Sequence, residues 1–253
     1  MLIDSHCHLD ASEFDGDRDH VVERARAAGV LHQVVPATHA DAWPGLRDVC
    51  AAAPGLHAAY GLHPTFLVHH RPEHLDALAV WIARERPVAI GECGLDHFVE
   101  GLDPAAQRHY FEGQLELAQA HDLPVIVHAR RAVEETIALL RRFRGLRGVV
   151  HSFGGSPEQA QQLWKIGFLI GLGGPLTYDR ARRLHRVAAA VPIEQLLLET
   201  DAPDQPDSDH RGQRNEPARL VRIRDVVARL RGISPEAVAA QTSRNAQALF
   251  AIA

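Results

Sequence analysis

Short apolar runs alternate with longer amphipathic stretches along the whole chain. The runs are β-branched or Leu-rich. They predict strands over Leu2–His8, Leu31–Thr38, Leu56–His63, Pro87–Leu95, Pro124–Ala129, Gly148–Phe153, Phe168–Gly173 and Leu196–Asp201. Helical patterns fall between them, over Asp19–Ala28, Pro72–Arg84, Ala105–His121, Ala132–Phe143, Pro157–Ile166 and Asp179–Val191. Two more, Ala218–Leu230 and Pro235–Phe250, come last and should pack on the outside. Ser156 before Pro157 is an N-cap followed by a first-turn proline. Gly29, Gly145 and Gly167 stand where helices should stop.

Eight strand–helix units predict a closed parallel (β/α)8 barrel of the TIM type, one domain over residues 1–253. A doubly wound open sheet would call for a Gly-rich phosphate turn after the first strand. That position carries His6-Cys7-His8 instead. No linker or low-complexity stretch divides the chain. The longest irregular segment, Asp201–Pro217, follows the last strand, where a long loop is often functional.

Composition narrows the classes. Hydrophobic residues make up 46% of 253, enough for a large core. No apolar run approaches the roughly 20 residues of a membrane helix. No basic segment leads into an apolar one, so a secretory leader is not expected. Three scattered cysteines, Cys7, Cys50 and Cys93, suit a reducing cytoplasm rather than a disulfide framework. A net charge of −5 gives no global basic stripe, so any nucleic-acid contact should be local.

The candidate chemistry sits at strand ends, where barrel sites are built. His6 and His8 close strand one. On a strand, side chains two apart share a face and can reach one ion. Glu92 ends strand four, His128 strand five, His151 strand six and Asp201 strand eight. Four histidines and two carboxylates exceed what one ion uses, so a pair of divalent ions is expected. A shared carboxylate can hold two ions about 3.5–4 Å apart. The donors suit Zn, Mn, Mg, Ni or Co without choosing among them. Asp201 is the candidate to orient the attacking water or take its proton. Cys7 and Cys93 should face away from the ligand side. His63 ends strand three on the same rim and is read as a phosphate contact. His69, His70 and His74 are read as solvated.

These motifs together resemble the TatD family of metal-dependent hydrolases, described chiefly as deoxyribonucleases. The markers are Ile3-Asp4-Ser5-His6-Cys7-His8-Leu9-Asp10, Gly61-Leu62-His63-Pro64 and Ile90-Gly91-Glu92-Cys93-Gly94-Leu95-Asp96. Leu123–Arg130, His151-Ser152-Phe153-Gly154-Gly155, Leu198–Pro203 and Arg211–Pro217 continue the series. The resemblance implies a two-metal site with ligands His6, His8, Glu92, His128, His151 and Asp201, and with Glu92 as bridge. His63, Arg130, Arg211 and Asn215 are the candidate substrate contacts beside it. Two departures fall there too: His97-Phe98 replaces an aromatic pair, and Asp204 replaces an aromatic after Asp-Ala-Pro.

Three functions follow. The first is a phosphodiester hydrolase acting on DNA ends or short single-stranded oligonucleotides, with arginines such as Arg130, Arg131, Arg211 and Arg214 gripping phosphate. The second is a two-metal hydrolase of a small ester, amide or phosphoester. Its usual bridge, a carboxylated lysine, is not easily supplied: Lys165, the one lysine, lies in a helical pattern before strand seven, away from any strand's C-terminal end. The third is a non-catalytic metal-binding protein. No membrane or obligate protein partner is expected.

Overall fold

A computed structural model describes residues 1–253. Eight parallel strands follow one another around a barrel in sequence order. They are β1 (Leu2–Asp4), β2 (Val30–Pro36), β3 (Leu56–Tyr60), β4 (Ala89–Asp96), β5 (Val125–Arg130), β6 (Gly148–Val150), β7 (Phe168–Leu172) and β8 (Leu196–Leu198). The seam between β8 and β1 is held by backbone bonds just past the strand ends. Ser5 N donates to Leu198 O at 2.9 Å and His8 N to Ala202 O at 2.7 Å.

Alternation sorts each strand into two cores. Ile3, Val34, Ala59, Ala89, Ile126, Val149 and Leu197 fill the barrel interior. Their neighbours Leu2, Val35, Tyr60, Ile90, Val125, Val127, Val150, Leu196 and Leu198 face the helices. Both faces are apolar, which is why the strands read as continuous hydrophobic runs.

The helices are α1 (Arg18–Ala27), α2 (Trp43–Ala52), α3 (His74–Glu85), α4 (Pro104–His121), α5 (Val133–Leu140), α6 (Pro157–Trp164), α7 (Arg182–Ala190), α8 (Leu220–Arg231) and α9 (Pro235–Phe250). Ser156 caps α6 in a reciprocal pair with Gln159, a cap worth about 1 kcal/mol. The last helix does not merely coat the outside. Ala246, Leu249 and Phe250 of α9, with Ile252, join the interior core and plug the N-terminal end of the barrel. That leaves the opposite end for chemistry.

Helix α2 is absent from the expected set. Pro44 and Gly45 in its first turn interrupt the periodic pattern there. Several strands are shorter than expected. β1 stops at Asp4, β6 at Val150 and β8 at Leu198, so His6, His8, His151 and Asp201 lie just beyond paired strand.

Candidate metal centre

The order of β5, β6 and β8 carries simple alternation straight to the rim. Ile126 faces inward and so does His128; Val149 faces inward and so does His151. Two strands do not obey it. Unbroken alternation from Ile3 would turn His6 and His8 outward. The buried Asp4 carboxylate prevents this. It accepts from Thr200 N at 2.9 Å and from His6 N at 3.3 Å, and the chain turns there. Cys7 then packs in the outer core and the two histidines face in. The shared face of His6 and His8 therefore comes from the chain beyond the strand, not from a strand running to His8. In β4 the register shifts between Ile90 and Cys93, both of which face outward. Gly91 makes the shift at φ +153°, where a Cβ would stand 2.7 Å from that of Ile126. Glu92 is thereby brought inside.

Glu92 is 2% exposed, and its two oxygens divide the histidines into two sets. Oε2 lies 3.2 Å from His6 Nε2 and 3.5 Å from His8 Nε2. Oε1 lies 2.7 Å from His151 Nε2, 2.9 Å from His128 Nδ1 and 3.0 Å from His63 Nε2. Asp201 Oδ1 stands with the first set, 3.4 Å from His6 Nε2 and 3.6 Å from His8 Nε2. Gln205 donates to the other oxygen of Asp201.

Outer partners decide which nitrogens carry lone pairs. His8 Nδ1 faces Pro36 O at 3.2 Å, so in the neutral ring Nδ1 keeps the proton and Nε2 is the nitrogen left to ligate. His128 Nε2 faces Asp96 Oδ2 at 2.9 Å, so Nδ1 is bare. His63 is the reverse. Thr65 N donates to its Nδ1 at 3.2 Å, which puts the ring proton on Nε2, aimed at Glu92. His63 is thus built as a donor, unlike its neighbours. Glu199, fully buried, accepts from Ser152 N and lies 3.8 Å from His151 Nδ1. Gly171 makes room for it: a Cβ there would stand 2.0 Å from Glu199 Oε2.

The electrostatics follow. Burial pushes Glu92 up, but the histidines around it, His151 foremost, outweigh it and hold it well below the ordinary carboxylate range. Burial lowers His8 and His151, yet Glu92 lifts them to about 9 and about 10. Burial brings His6 down to about 4. Burial raises Glu199 to about 8.

The donor set fits divalent cations. His6 Nε2 and His8 Nε2 face each other at 3.2 Å, as do His128 Nδ1 and His151 Nε2. Imidazole lone pairs at that distance repel unless a proton or a cation stands between them. His6, His8 and Glu92 form one group whose ligand atoms could hold an ion, and Glu92 and His128 belong to another, where His63 lies within reach but turns a protonated Nε2 toward Glu92.

A cavity of 1420 Å³ opens above this cluster, lined by Glu92, Asp201, Asp204, Arg130, Arg131 and Arg183 among others. Arg130 stacks 3.6 Å over the ring of Phe98. Arg211 and Arg214 are not part of the lining: Arg211 is exposed, and Arg214 pairs with Asp17 at 2.7 Å. Asn215 is buried below the loop, where its amide donates to Thr200 O and Asp204 O at 2.9 Å. His69 is exposed and His74 half-buried, but His70 is buried, with Nε2 2.9 Å from His63 O. Its place behind His63 corrects the expectation that it is solvated. Asp96, Glu199 and Gln205 are not among the candidate site residues read from the sequence, although Asp96 and Glu199 lie inside its motifs. Asp96 lies four residues after Glu92 and Glu199 two before Asp201, and that nearness to a proposed carboxylate ligand was the available signal for the first two.

A TIM-type barrel with imidazoles and carboxylates gathered around a carboxylate at its C-terminal rim defines a metal-dependent hydrolase. A model of the family described as TatD related DNase matches residues 3–251. The chain is 40% identical over 254 residues to the metal-dependent hydrolase YjjV of Escherichia coli K12, covering 98% of this chain and 97% of that one. The crystal structure of YjjV matches with a TM-score of 0.95 at 38% identity, over 100% of this chain and 98% of that chain. A protein of Erwinia billingiae named 3'-5' ssDNA/RNA exonuclease TatD is 36% identical over 261 residues, 98% of each. The chain belongs to the TatD family.

Proposed function

We propose that this hydrolase cleaves phosphodiester bonds at free ends of single-stranded DNA or oligonucleotides, using two divalent ions. His6, His8 and Asp201 would hold one ion and His128 and His151 the other, with Glu92 between them. The observation that carries this reading is the division of the histidines between the two oxygens of Glu92. Divalent ions, when bound, supply Lewis-acid chemistry: they polarise a phosphoryl oxygen and make water more acidic. Asp201, oriented by Gln205, takes the proton of the attacking water and returns it to the leaving oxygen. His63 Nε2–H donates to a phosphate oxygen, and Arg130, braced on Phe98, holds the next phosphate. Asn215 acts from outside the cavity, by fixing the loop that carries Asp204 and Gln205.

A net charge of −5 leaves few contacts for duplex wrapping, so the footprint is small. A labelled linear oligonucleotide beside its circularised form tests the reading. Cutting of the linear form alone, from an end, supports it. Equal cutting of both, with internal products, makes the enzyme an endonuclease. The second reading, hydrolysis of a small ester, amide or phosphoester, is favoured by Asp204 on the cavity wall, which repels a polyanion. Turnover of such a substrate with both DNA forms intact would select it.

A further inference from the structure

A second group of ligating side chains stands at the barrel mouth, separate from the one around Glu92. His39 and Asp41 follow β2, and His69 ends the helical turn Pro64–His69 after β3. One ligand atom from each lies within 4.8 Å of the other two. The rings of His39 and His69 have centroids 4.8 Å apart. His39 is held in two ways. Thr38 Oγ1 lies 2.9 Å from its Nδ1, which leaves Nε2 available. Its ring also stacks on Phe66, nearly parallel at 6° and 5.4 Å between centroids. A half-buried histidine braced like this is oriented before any ligand arrives.

We infer that His39, Asp41 and His69 form a rim site for a divalent transition ion of the Zn2+, Ni2+ or Cu2+ class. Two imidazoles and one carboxylate suit these ions, whereas Mg2+ and Ca2+ favour all-oxygen sets. Bonds of about 2.1 Å in tetrahedral geometry place neighbouring donors about 3.4 Å apart. The three groups must therefore close by roughly an ångström from the 4.8 Å limit, a movement open to the exposed side chains of Asp41 and His69. His39 and Phe66 line the central cavity, so a bound ion would stand on its wall. Three protein ligands leave at least one coordination position for water or an anion. The inference does not depend on whether the buried group cleaves nucleic acid.

Zinc titration of chelator-stripped full-length protein tests it, with bound equivalents counted beside His69→Ala and Asp41→Asn. Both positions are exposed, so the fold should persist, and thermal melting verifies this. The expected result is one fewer equivalent per chain in His69→Ala. Asp41→Asn should weaken that same equivalent by at least about tenfold. Cu2+ electron paramagnetic resonance gives an independent signature. A signal with nitrogen coupling from two imidazoles, distinct from that of the buried group, should be present in the wild type and lost in His69→Ala, with the buried group's own signal unchanged. Equal equivalents and equal affinities in wild type, His69→Ala and Asp41→Asn would overturn the site.

Discussion

Asp96→Asn tests the orientation of the centre without touching a proposed ligand. Asp96 Oδ1 accepts from Phe98 N at 2.8 Å and Val99 N at 2.9 Å. Those two donors will keep the asparagine oxygen where Oδ1 stands, so its NH2 must face His128 Nε2. An NH2 cannot accept, and Nε2 must become the acceptor. The ring proton then moves to Nδ1, the nitrogen 2.9 Å from Glu92 Oε1 and 3.2 Å from His151 Nε2. A protonated Nδ1 has no lone pair to give. Outer partners of this kind are worth about 10–100-fold in metal affinity, or about 1.4–2.8 kcal/mol. The turn after β4 keeps both of its backbone bonds, so the fold should be unaffected. Competition for zinc against a chromophoric chelator measures the affinity, and melting in chelator checks the fold. Wild-type affinity in a folded Asp96→Asn chain would refute the tautomer argument and the role of His128.

The other expectations concern the proton, the cysteines and pH. Asp201→Asn keeps its size but not its basicity, and turnover at saturating metal should fall by roughly 10²–10⁴-fold; retention of more than about half the activity would remove Asp201 from the proton path. Cys7→Ser and Cys93→Ser should leave metal equivalents unchanged, because both thiols are buried in the outer core; loss of an equivalent from a folded variant would contradict the reset of alternation at Asp4 and Gly91. Metal uptake near neutral pH should release protons. Glu92 holds His8 at about 9 and His151 at about 10, and only neutral imidazole ligates. Apparent affinity should therefore rise with pH through that range and fall on acidification. Calorimetry in buffers of different ionisation enthalpy counts the protons, and buffer-independent heats would argue against this.

The barrel was legible because its strands are apolar on both faces and its helices are not. Their order around the sheet follows from the alternation alone. The ends were harder to read. Strand pairing stops at Asp4, Val150 and Leu198, and the residues beyond look identical in sequence to strand. The proposed ligands at His128 and His151 could be placed by counting in twos from the interior core. His6, His8 and Glu92 could not, because Asp4 and Gly91 each reset the count through a contact made far along the chain, with Thr200 and Ile126. Long-range partners explain the other misses as well. Nothing near His70 in sequence shows that it sits beneath the His63 carbonyl. Nothing near Asn215 shows that its amide is taken up by the Asp204 loop. Helix α2 was hidden by its own first turn, where Pro44 and Gly45 are tolerated but break the pattern.

The most direct test of the account is anomalous diffraction from crystals of the protein reconstituted with excess zinc, read at the zinc edge. The account predicts two peaks that flank Glu92. One should lie beside Oε2 with His6 and His8, the other beside Oε1 with His128 and His151. A centre in which Glu92 touches one ion or none would contradict it.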